Sequence, residues 1–140
     1  MSSNIHHFDN SMTVLDTSLA MTPLEITPTV YQELDQKFAG FSGCTLVARH
    51  SFDADWPTWE MHPQGDELVC LLGGRADMIL YDEDGQETSL SLHQAGSYIV
   101  VPRGRWHTAR NCAGAQMMFV TPGEGTLNVA VEDFPEGANI

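Results

Sequence analysis

Glu60 and His62 stand two residues apart, Glu67 follows five residues after His62, and His107 comes much later in the chain. Imidazole nitrogens combined with carboxylate oxygens suit iron, manganese, nickel or zinc better than calcium, which prefers oxygen ligands alone. Side chains alternate across a β-strand, so Glu60 and His62 share a face, and both reach one ion if that face points inward. Glu67 shares its face with Val69 and Leu71, the apolar continuation expected of a barrel interior. His107 shares its face with Ala109 and Asn111, while Trp106 and Arg110 point the other way.

The elements that must position these groups are short and β-rich. From Cys44 onward, runs of β-forming residues are broken by turn residues at close spacing, the pattern of an all-β sandwich or barrel. The candidate strands are 44–52, 58–62, 67–72, 76–81, 88–92, 98–101, 107–111, 116–121 and 126–131. Asp84-Gly85, between two of them, is a hairpin signal. Residues 1–26 read as polar and irregular, with Pro23 and Pro28 interrupting any regular element. Val30, Leu34 and Phe38 then recur at helical spacing, with Thr27 or Thr29 as N-cap, Pro28 in the first turn and Gly40 as the stop. The predicted organisation is an N-terminal arm with one short helix over 1–43, a β-barrel over 44–131 and a tail over 132–140.

Two stretches resemble the signature motifs of the cupin family. The first cupin motif reads roughly His-x-His, three or four residues, Glu, six residues and Gly. Taken as the second histidine, His62 is separated from Glu67 by four residues and Glu67 from Gly74 by six, and Pro63 falls where cupins often carry a proline. Taking His62 as the first histidine would put Gln64 in the second place and leave too short a gap to Glu67. The second motif, Gly, five residues, Pro-x-Gly, two residues, His, three residues, Asn, is matched at every defined position from Gly96 through Pro102, Gly104 and His107 to Asn111. The likeness spans Glu60 to Asn111 and, with the flanking strand-like stretches, about 44–130.

This resemblance implies an all-β fold, a single cupin barrel of the double-stranded β-helix or jelly-roll type. It also implies a divalent transition metal (Fe, Mn, Ni or Zn) at Glu60, His62, Glu67 and His107, a small-molecule ligand or substrate, and pairing into a homodimer. Glu60 is the departure, because most members have the first histidine there. As a ligand, it would join Glu67 in cancelling a divalent charge and make the ion a poorer Lewis acid. Beside the ligands, it would hydrogen-bond a ligand histidine or a metal-bound water and act as the catalytic general base. Facing outward, it would contribute nothing, or its presence would abolish the site.

Bulk composition narrows the remaining classes. A chain of 140 residues is the usual size of one domain and buries one core. Six Lys plus Arg against nineteen Asp plus Glu give a net charge of −13, which argues against nucleic acid or an anionic membrane surface as partner. Cys44, Cys70 and Cys112 lie far apart without Cys-x-x-Cys spacing and read as reduced thiols of a cytoplasmic protein. The N-terminus has no basic start followed by an apolar run, and no eighteen apolar residues are consecutive, so neither export nor membrane spanning is expected. Neither a Gly-x-Ser-x-Gly elbow nor a Gly-x-x-x-x-Gly-Lys loop is present.

Other residues are secondary candidates for the cavity wall. His50 falls on the face of Leu46 and Ala48, Tyr81, His93 and Tyr98 carry polar tips, and Arg103 and Arg105 bracket Gly104 where an anionic substrate would find them useful. Met61, Met78, Met117 and Met118 read as core filler. Two functions fit the set: a metalloenzyme of dioxygenase-like type acting on an oxygen-rich small molecule, with isomerase or lyase chemistry less favoured, or a module that binds or senses a ligand or metal without turnover. Fold alone does not separate them.

Overall fold

The computed structural model describes residues 5–138, so the ends of the expected arm and tail, 1–4 and 139–140, lie outside the described residues. Its strands are β1 (Ser11–Leu15), β2 (Met21–Glu25), β3 (Thr45–Phe52), β4 (Thr58–Met61), β5 (Glu67–Tyr81), β6 (Glu87–Leu92), β7 (Tyr98–Val101), β8 (Trp106–Thr121) and β9 (Leu127–Ala130). The helix α1 (Val30–Lys37) lies between β2 and β3, and two 3-10 turns follow β9. All strand pairs are antiparallel.

The two long strands build the barrel. The first part of β5, from Glu67, pairs with β7 and with the end of β8, whereas its second part, from Ala76, pairs with β6 and with the start of β8. One sheet therefore runs β2-β1-β3-β8-β5-β7 and the other β9-β4-β8-β5-β6, with β5 and β8 bending from one to the other. The stretches 67–72 and 76–81 are thus one strand, as are 107–111 and 116–121, because the bend shifts register without ending the pairing. At the bend Gly74 has φ +71°, and a Cβ there would lie 2.1 Å from the carbonyl oxygen of Gly114, so the two strands cross only if position 74 has no side chain. The Asp84-Gly85 turn closes β5 onto β6 as expected.

The described part of 1–26, residues 5–26, is not the irregular stretch its sequence suggested. β1 and β2 form a hairpin, and β1 pairs with β3. The carboxylate of Asp16 builds the turn by accepting hydrogen bonds from Ser18 N, Ser18 Oγ and Ala20 N at 2.9, 2.6 and 3.1 Å. Pro23 is tolerated because β2 is an edge strand, where a missing N–H breaks no inner ladder. The helix carries Val30 and Leu34 on its buried side, but Pro28 precedes the N-cap Thr29 instead of entering the first turn, and the helix stops at Phe38 before Gly40.

The apolar residues separate into three clusters. Val69, Leu71, Met78, Ala109 and Met117 fill the barrel, while Met12, Val14, Val30, Leu34 and Phe41 join the N-terminal hairpin and α1 to one end of it. On the outer surface, Trp59, Ile79 and Trp106 pack under Phe134, whose ring stacks on Trp59 at 4.2 Å. Among the described residues no helix is long and apolar enough to cross a membrane.

Candidate metal centre

β4 and β8 set the site by alternation. On β4, Trp59 and Met61 turn outward to the Trp59–Trp106 cluster, which leaves Glu60 and His62 on the barrel side. Glu60 pairs with His107 across the two strands, so the buried His107 enters the same space, and Trp106 turns out. Glu67 opens β5 and is buried in line with Val69 and Leu71, as its face predicted. The turn at Pro102–Arg105 ties the two motif regions together, with Gly104 N donating to His62 O at 3.0 Å and Arg103 N to the Asp66 carboxylate at 2.8 Å.

Asn111 does not continue the inward face. It is exposed, adopts φ +56° and donates from Nδ2 to Asp77 at 2.8 Å, so the inward set switches there to Cys112, Ala115 and Met117. An asparagine tolerates this left-handed conformation better than most residues do.

His62, Glu67 and His107 are brought together, each offering one ligand atom within 4.8 Å of the others. His62 Nε2 lies 3.3 Å from Glu67 Oε2, and His107 Nε2 lies 3.1 Å from Glu67 Oε1. Hydrogen bonds behind the rings fix what these nitrogens are. His107 Nδ1 donates to the carbonyl of Arg105 at 3.1 Å, which leaves Nε2 of the neutral ring as a bare acceptor. His62 Nδ1 lies 2.8 Å from Thr126 Oγ1, and that hydroxyl gives its own proton to Gly123 O at 3.0 Å, so it accepts from the ring. His62 Nε2 is then also a bare acceptor. Thr121 Oγ1 donates to Glu67 Oε2 at 2.6 Å.

Three buried atoms, His62 Nε2, Glu67 Oε1 and His107 Nε2, therefore converge without a hydrogen-bond partner. Buried acceptors held against one another need a positive centre between them, either a cation or a proton. Donors about 2.1 Å from one ion and at right angles to tetrahedral angles lie about 3.0–3.4 Å apart, and the two nitrogen–carboxylate separations, each to a different oxygen of Glu67, fall in that range. Without an ion, the proton settles on the pair. Burial alone would lower the pKa of His107 and raise that of Glu67. The Glu67 hydrogen bond and charge outweigh it at His107 and lift its pKa, while His107 and His62 together bring Glu67 down to about 2.

Glu60 lies outside this three-residue cluster, yet close enough to feel its charges. Burial pushes its carboxyl above the usual carboxylate range, with the histidines acting against the shift and Glu67 adding to it. Glu60, His62 and Glu67 all line a cavity of about 590 Å³, which Tyr31, Leu34 and Asp35 of α1 also line.

Among the secondary candidates, His50 lines this cavity, with its ring 5.7 Å from that of Phe119. Tyr81 packs in the outer cluster, Tyr98 and His93 are exposed elsewhere, and neither Arg103 nor Arg105 lines the cavity. Met78 and Met117 are core residues, as expected. Sequence reasoning missed Thr121 and Thr126, because a threonine at a strand position is indistinguishable there from an ordinary β-former. It also missed Trp56, which lines the cavity and lies 6.3 Å from His107 between ring centroids.

No family model matches the sequence, and no curated protein matches it. Solved structures do. An oxalate oxidase matches over 64% of this chain and 47% of its own, at 21% identity and a TM-score of 0.50. Peruvianin-I, a cysteine peptidase from Thevetia peruviana latex, matches over 61% of this chain and 56% of its own, at 18% identity and a TM-score of 0.50. A cupin-2 domain containing protein from Shewanella frigidimarina matches over 56% of this chain and 70% of its own, at 22% identity and a TM-score of 0.45. The chain thus spans about half the length of the first two. The likenesses to the first two support the fold, an all-β barrel as the two motifs led one to expect, and the differing chemistries in the names of those two proteins show that the fold does not choose the reaction.

Proposed function

We propose that this protein is a metal-dependent enzyme of dioxygenase-like type acting on a small molecule, with the ion held by His62, Glu67 and His107 and with Glu60 as the proton acceptor. The convergence of three unpartnered buried acceptor atoms on the floor of a cavity carries this reading. A divalent transition ion bound there would polarise an oxygen of the substrate and, if redox-active, support chemistry with dioxygen.

The chain's own residues supply the rest. Arg105 O and Thr126 Oγ1 hold the two rings in the tautomer that turns Nε2 inward, and Thr121 steadies one oxygen of Glu67. Glu60 removes a proton from the bound molecule, and its raised pKa lets it retain that proton closer to neutral pH than an exposed glutamate would. Trp56, Phe52 and Phe119 keep water from one wall.

Pairing into a homodimer belongs to the same proposal. Val100, Leu68, Val120 and Val47 stand in register across four strands, and Val100 and Tyr98 remain 51% and 61% exposed, an apolar row that supports a second copy packing on it. The unpaired Cys44, Cys70 and Cys112 support a reducing, cytoplasmic setting.

The test is metal analysis of protein purified without added metal, followed by oxygen uptake with catechols, flavonols, thiols and keto acids. One equivalent of metal is expected, and Glu60→Gln should keep it while losing about 10²–10⁴-fold in turnover. Loss of metal in Glu60→Gln would make Glu60 a ligand, and no metal in the parent protein would end the metalloenzyme reading.

A further inference from the structure

The metal-dependent reading says where chemistry occurs; the wall of the same cavity says what kind of molecule fits, and the following rests on that reading. The chain has six Lys plus Arg, and none lines the cavity. Lys37 pairs with Glu33, Arg49 with Asp9 and Arg110 with Glu87, while Arg75 and Arg103 are exposed and Arg105 half-buried on other surfaces. The ionisable groups facing the cavity are instead Tyr31, Asp35, His50, Glu60, His62 and Glu67. The same cavity has an aromatic wall. Phe52, Trp56 and Phe119 pack in mutual contact at 5.3, 5.9 and 6.3 Å between ring centroids, and Trp56 reaches to the ring of His107. Leu34 and Leu46 add to the apolar lining.

Charge decides what such a space accepts. The acidic side chains Asp35, Glu60 and Glu67 line the space, and no lysine or arginine lines it to offset them. A dianion would then enter a low-dielectric space as uncompensated charge, with no guanidinium or ammonium to receive it. A neutral molecule loses little hydration and gains contact with the aromatic wall.

We propose that the substrate is a neutral molecule with an aromatic or similarly apolar body and an oxygen-bearing edge turned to His62, Glu67 and His107, and that small dicarboxylates are excluded. In this respect the cavity differs from what a substrate such as oxalate requires.

Calorimetric binding of naphthalene-2-carboxamide and naphthalene-2-carboxylate, which share a shape and differ in charge, tests this in both the metal-free and the metal-loaded protein, with oxalate as a third probe. The amide should bind at least tenfold more tightly than either anion in both forms. His50→Lys, which adds a cation at an exposed position of the cavity wall, should narrow the gap between amide and carboxylate at least tenfold. Equal or tighter binding of the carboxylate or oxalate by the parent protein would overturn the substrate class, as would failure of His50→Lys to change the ratio. Failure to take up metal would sink the metal centre alone, because the amide preference is read in the metal-free protein as well.

Discussion

Adjacent residues of β4 and β8 face two different environments. Trp59 and Trp106 point out of the barrel into an aromatic cluster closed by Phe134, whereas of their immediate neighbours Glu60 lines the cavity and His107 is buried against Glu67. The outer face is satisfied by packing alone, with Trp59 stacked on Phe134 and Tyr81 edge-on at 6.0 Å. The inner face is left with unpartnered acceptors that packing cannot satisfy. Strand periodicity thus lets one pair of strands do two jobs: the outward residues hold the inward ones in place, and the inward residues keep a polarity that a stable core alone would not select.

Substitutions on the two faces should therefore separate. The largest effect is expected from Glu67→Gln, which removes the charge both histidines face and should abolish saturable metal binding, a loss greater than the about 100-fold seen for supporting groups. Circular dichroism should show the fold retained. Trp59→Ala should do the converse, destabilising the protein by about 3–5 kcal/mol in chemical denaturation while leaving one metal equivalent bound under native conditions. If Trp59→Ala lost metal while fully folded, the two faces would not be independent.

Thr126→Val sharpens the comparison, because it leaves His62, Glu67 and His107 in place and removes the hydroxyl that accepts from His62 Nδ1 and donates to Gly123 O. Metal affinity should fall about 10–100-fold, measured by competition with a chelator, with little change in melting temperature. An unchanged affinity would mean that the hydroxyl does not set the ring.

The smallest effect is pH dependence of the inner face. In the metal-free protein the depressed pKa of Glu67 contributes stability that is present above its ordinary value of 4.5 and lost as pH falls toward about 2. The raised pKa of His107 contributes stability that is present below its ordinary value of 6.5 and lost as pH rises through the folded value. The contribution of this pair should therefore peak between those ordinary values. Metal needs both rings deprotonated, so the metal-loaded protein should gain stability with rising pH over the range in which the metal-free protein loses it. Thermal melts of both forms across that range check the opposite slopes.

How much of this was legible in the sequence follows from the range of the interactions. Alternation is local, so Glu67 with Val69 and Leu71, and Trp106 against His107, read correctly from spacing. Asn111 broke the same rule, because its positive φ moves the strand by one position and period-two counting does not register such a step. The β1–β2 hairpin was hidden by Pro23, whose tolerance depends on the strand lying at a sheet edge, which only tertiary structure decides. The motif spacing placed His62, Glu67 and His107, but the groups that orient them, Arg105 O and Thr126, act through a backbone carbonyl and an ordinary strand-forming threonine. The lack of cations in the cavity is likewise a matter of where six side chains end up, and composition reports only their number.

The central claim is that His62, Glu67 and His107 hold one ion. Titration of metal-free protein with Co²⁺, followed by visible absorbance, tests it most directly. The account predicts saturation at one equivalent in the parent protein and in Glu60→Gln, and no saturable band in Glu67→Gln. A parent protein that shows no saturable band, or a Glu67→Gln variant that titrates like the parent, would contradict it.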